Sequence, residues 1–391
     1  MAVSAPISMA LYVCFAFAVG LVCSTKQKKT KADERKKNDS PAPQLRVGFV
    51  HPDFGIGGAE NLVVNAMLAL QKKNVTVTIG DGPLAKCVKV YGDWLPKTIF
   101  GKLYAACAWI RVMYVTLVIG FLYSTEIDAF FVDQVSISIP VLRYFGKPVL
   151  FYGHYPDKLL SIQSGSLLKR LYRWPLDFLE EISTAASDLV VVNSKFTRSV
   201  FEETFPRVKK QELGILYPPV DVSVFEMFEA STPRNPTLFV SLNRFERKKN
   251  VVLAIHALAE LKTRVNSDVF ASVKLIIAGG YDPNNTENIE HLKELQVEVA
   301  KYSLIDHVEF RTSHFGIVPV EAMTCGTPVI ATGFLCESSA DAFADAMAKV
   351  CGASNAAKVA EMGAKGKKRA RDLFSLETFA DSLYELVNSL F

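Results

Sequence analysis

The sequence predicts an α/β fold: two Rossmann-like domains facing a cleft, behind an N-terminal transmembrane anchor. Three observations predict it. Short apolar runs that read as buried strands recur along the chain, each ending in a glycine turn or polar residues and most leading into a helical stretch. A proline-stiffened segment, Tyr217-Pro-Pro-Val-Asp221, divides these units into two halves. Residues 1–25 carry no charged side chain, and 5–24 are almost wholly apolar, matching the ~20 residues that cross a bilayer as a helix.

With 391 residues, half of them hydrophobic, the chain can bury a core in each half. Of the formal charge of +4, the run 26–37 supplies seven basic residues against Asp33 and Glu34, so the remainder is close to neutral. That excludes a nucleic-acid footprint on the globular part. The seven cysteines, Cys14, Cys23, Cys87, Cys107, Cys325, Cys336 and Cys351, show no C-x-x-C spacing and no histidine pairing at zinc distances. They read as reduced thiols, and neither a metal nor a cofactor is expected.

From the N-terminus, the basic run directly after the apolar segment puts everything downstream on the cytosolic side by the positive-inside rule. The competing reading is a cleaved secretory signal with Val22 and Ser24 before the cut; the missing basic leader and the basic block downstream oppose it. The organisation expected is an anchor at 1–25, a basic linker at 26–44, one domain at 45–220 and a second at 221–391.

Residues 45–50 form a strand, and the glycine-rich turn 51–60 precedes an amphipathic helix. Gly55, Gly57 and Gly58 allow close approach of a phosphate or sugar to that helix start, or serve only β-α packing. A dinucleotide fingerprint would need glycine where Glu60 stands, so the NAD reading fails. Residues 103–123, interrupted only by Arg111, read as a membrane-leaning or a buried helix; a full span would carry the downstream half across the membrane.

Strands at 130–134 and 149–153 end in polar residues, where ligands collect in open α/β sheets. The second leads into His154, which is either structural or a site residue. A strand at 189–192 runs into a helix cap at Asn193-Ser194.

In the second half, the strand 238–242 is followed by the basic cluster 243–250 with Arg244 and Lys249, either a solvated turn or an anion grip. The strand 273–280 ends in Gly279-Gly280, a polar helix follows over 287–302, and 306–310 is the next strand. Helices are expected near 339–350 and 375–390.

Residues 313–330 place a turn at Gly316 before a helix with Pro319 and Glu321 in its first turn, then a Gly326-Thr-Pro break and an apolar strand from Val329. A helix start offers N–H groups to a diphosphate, and one carboxylate can accept hydrogen bonds from ribose or sugar hydroxyls. An ordinary strand–helix–strand unit reads the same way.

The stretch His314-Phe-Gly-Ile-Val-Pro-Val-Glu321-Ala-Met, with Gly326-Thr-Pro-Val-Ile330 after it, resembles the Glu-x7-Glu donor motif of retaining GT-B glycosyltransferases. Glu321 matches the second glutamate, and Ser313 stands where the first belongs. Adding His51-Pro-Asp-x-Gly-x-Gly-Gly-Ala-Glu60, Asp133-Gln134-Val-Ser, His154-x-Pro-Asp-Lys-Leu-Leu, Asn243-Arg-Phe-Glu-Arg-Lys-Lys-Asn250 and Gly279-Gly-Tyr-Asp-Pro, the chain resembles the dolichol-pathway α-1,3/1,6-mannosyltransferases over nearly all of 47–391.

That resemblance implies a GT-B fold, GDP-mannose as donor, and a dolichyl-diphosphate-linked Man-GlcNAc2 acceptor, mannosylated α-1,3 and then α-1,6 in N-glycan assembly. It also implies the endoplasmic reticulum membrane with a cytosolic catalytic domain, and leaves room for other glycosyltransferases of the pathway as partners. Arg244 and Lys249 would hold the diphosphate and Glu321 the ribose. Phe315, Gly316 and Ile317, with Gly279 and Gly280, would meet the donor. Gly55, Gly57, Gly58 and Glu60 would form the acceptor-side loop, and His154 would line the reaction centre. Gly153 stands where relatives often carry cysteine. No general base is required.

The donor half departs from the family pattern. Only Arg311 and Thr312 separate the strand ending at Phe310 from Ser313, whereas parallel neighbours need a crossover of about a dozen residues or more. The family has a further helix and strand there. After Ile330-Ala-Thr the chain runs into Gly333-Phe-Leu-Cys336, in place of the family's Gly-Gly-Pro-x-Glu loop. The C-terminal domain is thus expected to be truncated internally, its sheet short by one strand. The alternative function is then a catalytically impaired or dead relative acting as an interaction subunit.

Overall fold

The computed structural model describes residues 44–52, 58–77, 88–99, 103–160, 167–226, 236–281, 285–312, 318–331 and 337–391. The expected anchor, the linker up to residue 43, Gly55, Gly57 and the donor-motif residues Phe315, Gly316 and Ile317 lie outside them. The chain forms two units, one ending at Pro219 and taking in Leu376–Phe391, the other Val220–Ser375.

The first unit runs β1 (Val47–Val50), α1 (Gly58–Lys72), α2 (Tyr104–Tyr123), β2 (Ala129–Asp133), α3 (Ile139–Tyr144), β3 (Val149–Gly153), α4 (Asp157–Leu160), α5 (Leu167–Ala185), β4 (Leu189–Val192), α6 (Lys195–Thr204) and β5 (Gly214–Ile215). The five strands pair in parallel in the order β1-β2-β3-β4-β5. Their side chains alternate between two buried faces. Phe131, Leu150, Tyr152 and Val191 pack with Leu62, Ala66 and Leu70 of α1. Phe130, Val132, Phe151, Val190 and Val192 pack with Val112 and Met113 of α2 and Phe201 of α6. Burial on both faces is why these strands read as unbroken apolar runs.

Helix α2 is long and apolar enough to cross a membrane, but its Cys107, Val112, Met113, Thr116 and Gly120 are buried in the unit. Ser194 caps α6, its hydroxyl accepting from the Thr197 amide at 3.1 Å, where the sequence places a cap.

The second unit runs α7 (Val222–Glu226), β6 (Leu238–Leu242), α8 (Val252–Leu261), α9 (Ser267–Ser272), β7 (Lys274–Gly279), α10 (Thr286–Lys301), β8 (Val308–Thr312), α11 (Val318–Thr324), α12 (Ala340–Ala348) and α13 (Ala356–Phe374). Its described sheet has three parallel strands, β6-β7-β8. One face packs well: Leu275 and Ile277, with Phe239, Val308 and Phe310, meet Ile255, Leu258 and Leu261 of α8 and Leu295 and Val299 of α10. The other face is bare at one side, with Leu238 43% and Val240 60% exposed and the exposed pair Glu309–Arg311 on β8.

Two expectations are corrected. Residues 327–331 form no strand. A strand there needs a hydrogen-bonding neighbour, and among the described residues the sheet offers none after β8. The last helix, α14 (Leu376–Asn388), does not belong with the second half as the 221–391 domain required. Its buried Phe379, Ala380, Leu383 and Val387 complete the α1 face of the first sheet, and Asp381 pairs with Lys73. Two helices of 19 residues, α5 and α13, are additions that the sequence reading does not contain.

Candidate functional site

Parallel pairing aligns the carboxyl ends of the strands, so the residue at each end meets those of its neighbours. Four successive ends of the first sheet, His51, Asp133, His154 and Asn193, are joined in this way. His51 Nδ1 and His154 Nε2 each lie 2.8 Å from one oxygen of the Asp133 carboxylate. The Asn193 side chain donates to the His154 carbonyl at 3.1 Å. Asp133 is 1% exposed. Burial alone would raise its carboxyl, but hydrogen bonds from His154 and His51 and their attraction outweigh that and hold it below the usual range.

An ionised Asp133 only accepts, so it fixes the proton of His51 on Nδ1 and that of His154 on Nε2. His154 Nδ1 is then the ring atom available to a ligand, and the ring is braced edge-on by Tyr152 at 5.1 Å. Tyr152 is itself anchored, its hydroxyl donating to the Leu216 carbonyl at 2.9 Å; burial first, and then the Asp133 charge, raise that phenol. Glu60 stands in the first turn of α1 with its carboxylate 4.0 Å from His51 Nε2. Gly58 is the first residue of α1, and a side chain there would meet no atom within 4 Å. Gly153 is different: a Cβ would come within 2.5 Å of the Phe201 ring, which accounts for glycine just before His154.

The turn after His154 is pinned by α5. Glu180 accepts from the amides of Asp157 at 2.7 Å and Lys158 at 3.1 Å, and Arg173 reaches Asp157 at 2.8 Å and Asp177 at 2.7 Å. Burial pushes the Glu180 carboxyl up to about 7 in spite of those amides.

In the second unit the basic cluster separates by partner. Arg247 is tied to α10 through Glu290 and Glu294 at 3.0 and 2.6 Å. Arg244 and Lys248 share the buried Glu246, each at 3.0 Å, and Lys249 is exposed just before Asn250, whose φ of 49° turns the chain. Gly279 is forced by packing: a Cβ would fall 1.9 Å from the Asn243 carbonyl oxygen, where the loop bearing Arg244 crosses the end of β7. The Gly280 carbonyl holds that loop through the Phe245 amide at 3.3 Å. Glu321 lies in the first turn of α11, half-buried, on a helix that packs against α13 and α7.

The structure therefore joins His154 and Glu60 through His51 and Asp133, and brings Arg244 to Gly279 and Gly280. Sequence reasoning missed the roles of His51 and Asp133. Both stand at strand ends, which is the signal that could have found them.

Comparison with known proteins matches residues 224–313 to the family model "Glycosyl transferases group 1". The α-1,3/1,6-mannosyltransferase ALG2 of Homo sapiens is 38% identical over 416 residues, covering 92% of this chain and 99% of that protein. That alignment is longer than the chain, so part of it lies opposite gaps in the 391 residues. The Saccharomyces cerevisiae protein of the same name is 36% identical, covering 73% of this chain and 69% of its own length. Among solved structures, the fold resembles sucrose-phosphate synthase from Thermosynechococcus elongatus, with TM-score 0.66 and 18% identity over 89% of this chain and 99% of that one. It also resembles Anabaena HepE in complex with UDP and glucose, with TM-score 0.58, 17% identity and 88% and 100% coverage. With two Rossmann-like units of parallel sheet and relatives of this identity across its length, the chain has the GT-B fold and belongs to the α-1,3/1,6-mannosyltransferase family of glycosyltransferases.

Proposed function

We propose that the chain serves the mannosyltransfer step of its family, moving mannose from GDP-mannose to a dolichyl-diphosphate-linked Man-GlcNAc2 acceptor. The observation that carries this is the 38% identity to a protein of that name, spanning 99% of it. Arg244 and Lys249 are the cations proposed for the diphosphate, where fixed charge stabilises the leaving group as the sugar–oxygen bond breaks. Arg244 would exchange its Glu246 partner for phosphate. Glu321 is proposed for the ribose, and the backbone of Phe315 to Ile317 for the sugar. His154, with its Nε2 proton fixed by Asp133, is proposed to present Nδ1 at the reaction centre. Retention then follows a front-face, oxocarbenium-like path in which the departing phosphate takes the acceptor proton, and no side chain acts as base.

The endoplasmic reticulum membrane, with the globular part cytosolic, is proposed from the uncharged residues 1–25 and the basic run behind them. Protease added to sealed microsomes should digest the globular part, and full protection would refute this topology. The function is tested by incubating the purified chain with radiolabelled GDP-mannose and a synthetic lipid-linked acceptor; label in the lipid product is expected of a complete enzyme.

A further inference from the structure

Helix α5 turns an apolar stripe outward. Leu167, Leu171, Trp174 and Phe178, spaced by four, three and four residues, share one side of the helix and are 80%, 72%, 70% and 41% exposed. Single exposed apolar residues are ordinary, but a stripe of this length is not. Trp174 and Phe178 stack on each other at 6.1 Å. The exposed charged residues of α5 are Lys169 and Arg170, both basic, and the Arg207 guanidinium lies over the Phe178 ring at 5.2 Å. The acids of the helix are committed to the protein: Asp177 to Arg173, Glu180 to the amides after His154, and Glu181 to Arg207. Two neighbours extend the surface. The Ala106 amide donates to the Tyr172 hydroxyl at 3.1 Å, setting the start of α2, with exposed Tyr104, against α5. Arg173 and Glu180 hold α4 there too, with Leu160 65% exposed.

We propose that this face of α5 lies in the headgroup layer of an anionic bilayer, Leu167, Leu171, Trp174 and Phe178 entering the acyl boundary while Arg170 at its edge meets lipid phosphates. Leucine and aromatic residues on one side, with the basic Arg170 at their edge, are the composition of an interfacial helix. An acidic or mixed-charge rim, as a partner helix would need for pairing, is absent from the exposed described residues of α5. Only the presence of a membrane rests on the transferase reading above. The consequence is mechanical: the helix that touches lipid also caps the turn following His154.

The test uses the full chain with Trp94→Phe and Trp109→Phe, which leaves Trp174 as the only one of the three tryptophans. The protein is placed on vesicles of phosphatidylcholine and phosphatidylserine whose acyl chains carry bromine. Trp174 emission should fall roughly twofold or more, with a smaller loss in the Arg170→Glu variant of unchanged circular dichroism. On vesicles to which the chain has sedimented, a Trp174 untouched by bromine and still open to aqueous iodide overturns the proposal. Shielding of Trp174 only when a protein partner is added overturns it as well. Quenching by the lipid in a chain that transfers no mannose upholds it, so its fate is separate from that of the transferase reading.

Discussion

Asp133 decides the state of both histidines at the strand ends, since its two oxygens are each taken by one imidazole. Asp133→Asn keeps the shape but offers one acceptor and one donor, so one ring must change tautomer or lose its bond. The expected cost is about 2 kcal/mol, the worth of a hydrogen bond to a charged group. Because the folded carboxyl lies below its unfolded value, this stability is present at neutral pH and is lost as pH falls through the folded value. Denaturant titrations should therefore show the gap between parent and variant closing towards acid, and a gap constant with pH would count against the assignment. Glu180 has the opposite sign. Its carboxyl is raised to about 7, so the stability that comes from protonation is full below the unfolded value and disappears as pH rises through about 7. Glu180→Gln should flatten the fall in Tm between about pH 5 and 7, and an unchanged slope would show another group responsible. For Lys249, which we propose holds the leaving diphosphate, loss of the charge should cut turnover by about 10²-fold in an active form of the chain. Equal turnover of Lys249→Ala would remove it from the mechanism. His154 was legible because a histidine directly follows an apolar strand; its bond to Asp133 was not, because only the strand pairing brings residues 21 apart in sequence within 2.8 Å.

At the scale of elements, the strands were the most legible part, for a strand buried on both faces leaves a continuous apolar run. Helices were less so. In α5 the interior Pro175 argues against a helix, and its outward leucines confuse the sense of inside and outside. In α13 the glycines Gly363 and Gly366 lower propensity, yet Gly363 is buried, and a Cβ at Gly366 would already touch Met323 at 3.4 Å. The final helix was legible as a helix but not in its place, since an apolar stripe demands a face without saying which one. That placement is testable. Leu383 is fully buried among α1 and first-sheet residues, so Leu383→Ala should cost about 2–5 kcal/mol. Hydrogen exchange should then quicken in α1 and α14 together; quickening in α13 with α1 unaffected would return the helix to the second unit.

For the molecule as a whole, we propose that this 391-residue chain lacks part of its donor unit and transfers mannose weakly. The first sheet is buried on both sides, whereas in the second Val240 of β6 is 60% exposed on the face opposite α8 and α10. Crossovers in doubly wound sheets place helices on both faces, and the segment after β8 would supply the second layer. Here β8 ends at Thr312 and α11 begins at Val318, which leaves five residues where the resembled family has a further helix and strand. The match to the family model stops at residue 313, and the alignment to the human relative extends over 416 residues, more than the chain contains. The end of β8 and the end of the family match fall together at residues 312–313, where Ser313 stands in place of the family's first motif glutamate. Weak binding of GDP-mannose follows, because a carboxylate and, after Ile330, a phosphate-binding loop are both replaced. Inserting the relatives' segments after Thr312 and Thr332 should restore lipid mannosylation under conditions where the parent chain gives little. It should also cover the bare face, so that a thiol introduced by Val240→Cys reacts with a maleimide in the parent and becomes protected in the restored form. Robust transfer by the parent, or labelling of the introduced thiol that is the same in both, would show that the donor unit is complete as it stands.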